Sequence, residues 1–309
     1  RHCFSKDGGV SNTYCNSNNG WKLSWELLGD TREMTRDGRT DLYKDPRLSD
    51  EYIALPSPKK GLEEEALVQI KKIIEKNSQT IAAIIAPGAG GSGEAASYDW
   101  PQMSQFWEQL STICHQHNIL LFWDCVMSGG GRTGGNKEGK GFFATDHYLG
   151  NIKIDGRSYA KGLTCGYRPG GVAMVSHKIY HAIQRQGWSF GSTYSGQSGT
   201  IVAATAVLNE LERNDHEILR NTKTMGDLWQ NELAPDLIDE FSKMVEKSQG
   251  RGLLRALILN QRMDLEKLQN ILIENGILPF LFRQTLTKKI VLMITPPLII
   301  DQDGMKEIS

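Results

Sequence analysis

The sequence predicts an α/β protein with a large domain, built on a mainly parallel sheet flanked by helices, and a small C-terminal α+β domain. Two continuous apolar runs, at residues 80–86 and 119–124, have the length and character of strands covered on both faces. Residues 100–117 lie between them and show helical periodicity. Strand, helix and strand in this order form a right-handed crossover, so the two strands are expected to be parallel.

The remaining elements follow from the same periodicities. Apolar residues recur at helical spacing from Gly61 and predict an amphipathic helix, whereas residues 1–60 are polar and predict loops around at most one short element. Further along, residues 171–175 predict a strand, residues 177–186 a helix and residues 199–213 the start of a long helix.

The last part of the chain has a different pattern. Short strands are predicted at residues 253–259, 277–282 and 290–294, around a helix at residues 264–274. Such mixing is typical of a small α+β unit. We therefore place the large domain at residues 1–215 and the small domain at residues 216–309.

Composition narrows the function classes. The 309 residues carry 35 basic and 36 acidic side chains, a net charge of −1, and no apolar run long enough to span a membrane. We therefore expect neither a nucleic acid nor a membrane as partner. Five scattered cysteines favour a reducing compartment over a disulfide framework, which predicts a cytoplasmic location and leaves a mitochondrial one open.

Lys161 and Asp124 are the strongest candidates for chemistry. Lys161 follows Ala160 and precedes Gly162, small neighbours that suit a tight, partly desolvated pocket in which a neutral amine becomes a nucleophile. Asp124 ends a buried strand, where open α/β sheets bind ligands. The pair fits pyridoxal 5′-phosphate (PLP), which needs a Schiff-base lysine and a carboxylate beside its pyridinium nitrogen. Singly, the two residues also fit a surface lysine and a helix N-cap.

Other patterns are weaker. Residues 88–93 match G-x-G-x-x-G after a strand, but no helix follows at once, so a flexible loop is favoured over a dinucleotide site. Cys114, His115 and His117 are not spaced to share one helix face, so no metal site is predicted. Residues 191–196 suit hydrogen bonds to a phosphate, or equally an N-cap for the following helix.

Read in order, several strings resemble the class III (omega-amino acid) aminotransferases, which are PLP enzymes of fold type I. The strings are AAIIAP at residues 82–87, LLFWDCVMSG at 120–129, GRTG at 131–134, AKGL at 160–163, GYRPGG at 166–171, TYSG at 193–196 and PPL at 296–298. The resemblance implies fold type I for the large domain. It also implies transfer of an amino group from an amine or amino acid donor to a keto acid or aldehyde acceptor.

The resemblance also implies a role for each site residue. Lys161 would form the Schiff base and move the proton between substrate and cofactor, while Asp124 would keep the pyridine nitrogen protonated. Val126 would pack under the ring. Thr193 would reach the cofactor phosphate of a neighbouring subunit, which makes a homodimer the expected active unit.

The chain also departs from the family pattern. Ala86 replaces a glutamate before the proline, Cys125 replaces an acid, and Met293 replaces an arginine that binds a substrate carboxylate. The family's Tyr-His-Gly string reads Asn18-Asn19-Gly20 here; Asn19 and Gly20 are the remaining cofactor-binding candidates.

Two hypotheses follow, because the chain retains some of the family's site residues and replaces others. The chain is an active transaminase, or it is a degenerate or truncated homologue without catalytic activity. From the resemblance, we expect the chain to begin after the family's phosphate-binding Ser-Gly-Ser-Glu-Ala segment. A third hypothesis keeps the cofactor but changes the reaction, to decarboxylation or amino migration. The loss of the arginine at Met293 favours an amine or a long amino compound over a small α-amino acid as donor.

Overall fold

The computed structural model describes residues 3–4, 10–11, 55, 61–87, 100–135, 141–146, 152–187, 193–283 and 289–309. They divide into two compact units. The first takes its described residues from Arg1–Gly91, Pro101–Met127 and Leu149–Ala206, and the second from Ser92–Trp100, Ser128–Tyr148 and Val207–Ser309. The domain boundary at residue 215 stays a prediction.

The described helices and strands have the following bounds. The helices are α1 (Glu63–Asn77), α2 (Trp100–Gln116), α3 (His177–Gln186), α4 (Ser198–Leu228), α5 (Ala234–Glu240), α6 (Leu265–Glu274) and α7 (Gln302–Glu307). The strands are β1 (Cys3–Phe4), β2 (Val10–Ser11), β3 (Ala83–Pro87), β4 (Leu120–Asp124), β5 (Gly156–Ala160), β6 (Gly171–Val175), β7 (Val245–Arg251), β8 (Leu254–Leu259), β9 (Phe280–Arg283) and β10 (Ile290–Ile294). Because β1 and β2 pair with each other, the expectation of at most one short element before residue 60 was wrong. Among the helices that the structure describes, none is long and apolar enough to cross a membrane.

The sheet of the first unit is mainly parallel, as predicted. Its order is β3-β4-β5-β6, with β3, β4 and β5 parallel and β6 antiparallel to β5. Along β4 the side chains of Leu121 and Trp123 are buried, and the Trp123 ring meets Trp107 of α2 edge to face at 4.7 Å between centroids. Successive strand residues point to opposite faces, so Asp124 lies on the face opposite Trp123.

Strand β5 was not predicted from its sequence, because Gly-Arg-Ser-Tyr-Ala contains no apolar run or clear alternation. Tertiary contacts explain it. The buried carboxylate of Asp155, just before the strand, accepts a hydrogen bond from the Leu121 N–H at 2.9 Å. A Cβ at Gly156 would lie 2.6 Å from the Phe122 ring, so β5 can lie beside β4 only with glycine there.

The second unit contains an antiparallel sheet of order β7-β8-β10-β9. All residues of β8 are buried, and its Leu257 shares a hydrophobic core with Trp229, Ile290 and Met305. Strand β7 was missed because Val-Glu-Lys-Ser-Gln-Gly-Arg is mostly polar. The strand predicted at residues 277–282 lies instead at Phe280–Arg283.

Helix α4 begins as predicted but is interrupted. Residues Arg213–His216 leave the helical conformation, and Asn214, Asp215 and His216 have positive φ angles of 49°, 54° and 63°. Asn and Asp tolerate the left-handed region better than most residues, which explains why the break falls there.

Candidate functional site

Asp124 and Lys161 are placed at the same edge of the sheet by two neighbouring parallel strands. Asp124 is the last residue of β4 and pairs in register with Ser158 of β5. Lys161 follows the end of β5 and opens a 3₁₀ turn, Lys161–Thr164. The carboxyl ends of parallel strands are where sheets of this class bind ligands. The structure therefore brings together the two residues that the sequence singled out.

Lys161 adopts an uncommon backbone conformation. Its φ angle is 47°, in the left-handed region that non-glycine residues rarely occupy. Its Nζ contacts the Sδ of Met127. The residue is exposed. Among the residues that the structure describes, Lys161 is therefore not enclosed, and the tight, desolvated pocket expected from Ala160 and Gly162 stays a prediction.

Asp124 is half-buried and hydrogen-bonded on one oxygen. Its Oδ1 accepts from the Val126 N–H at 2.9 Å and from the Ser158 hydroxyl at 3.1 Å. Burial raises the pKa of Asp124, while these two hydrogen bonds and the Lys161 charge oppose that rise. The Lys161 charge thus acts on the Asp124 carboxyl, as a shared site requires.

These residues fit PLP. Both hydrogen bonds to the Asp124 carboxyl end on Oδ1, so Oδ2 is the atom suited to a ligand's ring nitrogen. Lys161 would hold the cofactor covalently through Nζ. Val126 is half-buried and its N–H donates to Asp124 Oδ1, while its packing under the ring stays a prediction.

The roles of the other predicted cofactor residues stay predictions. Thr193 is exposed in the turn of residues 193–196, before α4. Its role toward a neighbouring subunit stays a prediction. Asn19 and Gly20, with Asn18, lie outside the described residues.

Three positions that depart from the family pattern are packing positions. Ala86 is fully buried in β3 and pairs in register with Trp123. Cys125 is also fully buried, and its N–H donates to the Ser158 carbonyl at 2.9 Å. Met293 is buried in β10 between strands β8 and β9. Apolar side chains suit all three environments.

Cys114 and His115 lie in the last turn of α2. Burial, with a smaller contribution from Asp155, raises the pKa of the Cys114 thiol to about 12, so it is protonated at neutral pH. His115 Nε2 lies 3.5 Å from Asp155 Oδ2. Within the described ranges, no group of three or more His, Cys, Asp or Glu side chains could hold a metal ion.

Sequence reasoning missed Ser158 and Met127, which contact Asp124 and Lys161. Met127 lies within the string at residues 120–129, and Ser158 lies two residues before the AKGL string. Their contacts depend on strand register and on residues distant in sequence, which neither string records. The GRTG string at residues 131–134 begins with Gly131, and the packing around it requires a glycine. A Cβ at Gly131 would lie 1.9 Å from the Leu219 side chain. Nearby, the Arg132 guanidinium donates to the Pro296 carbonyl at 2.5 Å.

Comparison with known proteins identifies the family of the chain. A profile of the family described as Aminotransferase class-III matches residues 37–309. The putrescine–pyruvate aminotransferase of Pseudomonas aeruginosa is 29% identical over 247 residues, 77% of this chain and 50% of that protein. The acetylornithine aminotransferase of Aquifex aeolicus is 29% identical over 234 residues, 76% of this chain and 53% of that protein.

Solved structures show the same fold. The taurine:2-oxoglutarate aminotransferase of Bifidobacterium kashiwanohense, in complex with PLP and glutamate, has a TM-score of 0.68 at 23% identity, covering 84% of this chain and 57% of that one. An omega-transaminase of Thermomicrobium roseum has a TM-score of 0.67 at 23% identity, covering 81% and 56%. The chain spans about half the length of the curated relatives it matches. With fold type I shared and the family profile matching most of its length, the chain belongs to the class III aminotransferases.

Proposed function

We propose that this chain acts as a PLP-dependent transaminase, moving an amino group from an amine or amino acid donor to a keto acid or aldehyde acceptor. The observation that supports it most is that Lys161 and Asp124 meet at the ends of neighbouring parallel strands in a class III chain. The packing of Ala86, Cys125 and Met293 as buried apolar residues is compatible with a folded, working site.

When bound, PLP supplies a ring that accepts electrons from the substrate carbon. The chain's own residues do the rest. Asp124 Oδ2 holds a proton at the ring nitrogen, while the Val126 N–H keeps the carboxyl in place through Oδ1. Lys161 Nζ holds the cofactor and then takes and returns the proton of the substrate carbon.

We further propose a primary amine or a long amino compound as donor. The names of relatives and a structural neighbour include putrescine, 5-aminovalerate and taurine. Each of these compounds carries its amino group at the end of a chain. Met293 is buried and uncharged, so it offers no charge to the carboxylate of a small α-amino acid.

We also propose that the protein is a homodimer located in the cytoplasm. Exposed side chains lie around the start of α4, including Tyr167 (78%), Tyr194 (81%) and Val202 (68%). The segment after Tyr167 is held there, because Thr200 Oγ1 donates to the Pro169 carbonyl at 2.9 Å. Exposed apolar groups of this kind favour a protein partner, and Thr193 lies among them. The cytoplasmic location rests on cysteine content.

The first test is covalent retention of PLP by Lys161→Ala. The wild-type protein, incubated with PLP and desalted, should keep a visible absorbance band and a mass increase that borohydride makes permanent. Lys161→Ala should lose both, along with transfer from an amine donor to pyruvate. Lys178→Ala, which removes an exposed lysine of α3, is the control and should behave as wild type. Retention of borohydride-fixed PLP in Lys161→Ala, or no retention by a folded wild-type protein, would contradict the proposal.

A further inference from the structure

The Ser158 side chain is placed beside Asp124 by the sheet itself. Parallel pairing of β4 and β5 sets Ser158 in register with Asp124. The Ser158 hydroxyl donates to Asp124 Oδ1 at 3.1 Å. The Ser158 backbone is held independently, since its carbonyl accepts from the Cys125 N–H at 2.9 Å. The Ser158 backbone is therefore held in place without the hydrogen bond between its hydroxyl and Asp124.

This contact decides how the carboxyl can be used. Oδ1 is occupied by two donors, the Val126 N–H and the Ser158 hydroxyl, which fix the carboxyl plane. Oδ2 is the oxygen that receives neither bond. A donor that bonds the ionised form of a half-buried carboxyl also stabilises its charge against burial. The Val126 donor is a backbone group, so Ser158 is the only one of the two that a side-chain substitution removes.

We propose that Ser158 is a positioning residue, which fixes Asp124 through Oδ1 so that an ionised Oδ2 faces the ring nitrogen of PLP. The ligand in this statement rests on the proposed function above. The orientation and charge of Asp124 do not depend on it. Ser158 touches neither substrate nor cofactor in this arrangement and acts through Asp124 alone.

The first experiment measures Asp124 directly in the cofactor-free chain. Carbon-13 labelling of aspartate carboxyls allows an NMR pH titration, in which the Asp124 signal is assigned by its absence from Asp124→Asn. Ser158→Ala should raise the pKa of Asp124, because one hydrogen bond to its charged form is lost. Ser158→Thr keeps a hydroxyl and should restore the wild-type titration.

The second experiment measures the affinity for PLP by equilibrium titration. Ser158→Ala should weaken binding about tenfold, the size of one lost hydrogen bond to a charged group, and Ser158→Thr should recover most of it. Ser111→Ala is the matched control. Ser111 is buried in the same unit and hydrogen-bonds the Lys153 backbone at 2.9 and 3.0 Å, away from Asp124. It should change neither the titration of Asp124 nor the affinity.

The outcomes separate the two proposals. An unchanged Asp124 titration in Ser158→Ala would overturn the positioning role, whether or not the chain binds PLP. Equal effects of Ser111→Ala and Ser158→Ala on affinity would also overturn it, because they would indicate a general structural loss. A shifted titration in a chain whose wild type retains no PLP would support the pairing and refute the proposed function.

Discussion

At the scale of the residue, Asp124 illustrates a conflict between its proposed function and stability. Its carboxyl is half-buried at the end of β4, where burial favours the neutral form, yet pairing with a pyridinium requires the charged form. Two hydrogen bonds and the Lys161 charge offset part of this cost. The pKa remains above its usual value, so the offset is incomplete.

This conflict predicts the effect of Asp124→Asn on the cofactor-free protein. The pKa of Asp124 in the folded protein is raised above 3.8, the value in the unfolded chain. Between these two pKa values the folded protein keeps a proton that the unfolded chain has released. As the pH rises through this interval, ionisation of Asp124 therefore destabilises the fold. Asparagine removes the charge and keeps an acceptor for Val126 and Ser158. We expect a free energy of unfolding higher by about 1 kcal/mol at neutral pH, shrinking toward zero below pH 3.8.

Urea unfolding at neutral and acid pH measures this difference. Asp239→Asn, at an exposed position of α5, is the control and should be neutral throughout. The same Asp124→Asn protein should lose transaminase activity, since an amide cannot hold the ring nitrogen protonated. A variant that is less stable than wild type at neutral pH would show that the carboxylate is a net stabilising group.

At the scale of the element, α4 packs on the second unit's sheet through close backbone contacts. A Cβ at Gly226 of α4 would lie 2.6 Å from the Cα of Gly252, between β7 and β8. Gly252, with a φ angle of 53°, lies in turn against the backbone of Arg132 and Thr133. The buried guanidinium of Arg255 donates to the carbonyls of Gly226, Gly250 and Gly252. The atoms nearest to a Cβ at Gly226 are therefore backbone atoms of Gly252, which cannot move aside as a flexible side chain can.

Gly226→Ala is expected to destabilise the protein by about 1–3 kcal/mol, because the added methyl group must displace the Gly252 backbone. Gly199→Ala, in the same helix, is the control. Its Cβ would lie 3.3 Å from Arg168 Nε, at a flexible side chain, so a change below about 1 kcal/mol is expected. Thermal unfolding of both variants compares them, and equal stability would contradict the close-contact explanation.

At the scale of the whole molecule, the proposed homodimer makes the exposed start of α4 an interface. Val202→Lys would place a charge there, and we expect the dimer to dissociate at least tenfold more readily, because a buried unpaired charge is costly. Val68→Lys, at a 48% exposed position of α1, is the matched control. Sedimentation velocity over a concentration range measures both. Dissociation by Val68→Lys alone would place the interface elsewhere, and a monomeric wild type would refute the dimer.

The sequence by itself determined the fold class and the central pair of the site. Apolar runs and helical periodicity identified β3, α2 and β4 without long-range information, because burial of a crossover unit dictates its residue types. Lys161 stood out because it lies between two small residues, and Asp124 because it ends an apolar strand. The order of the surrounding strings indicated the family.

Only the tertiary structure decided what depends on contacts distant in sequence. β5 and β7 have polar sequences. They become strands because the adjacent strands supply backbone hydrogen bonds and packing contacts. Ser158 became part of the site through the register of β5 on β4, a property that no local pattern records. The exposure of Lys161 likewise depends on which segments pack around it, so its small neighbours in the sequence could not reveal it.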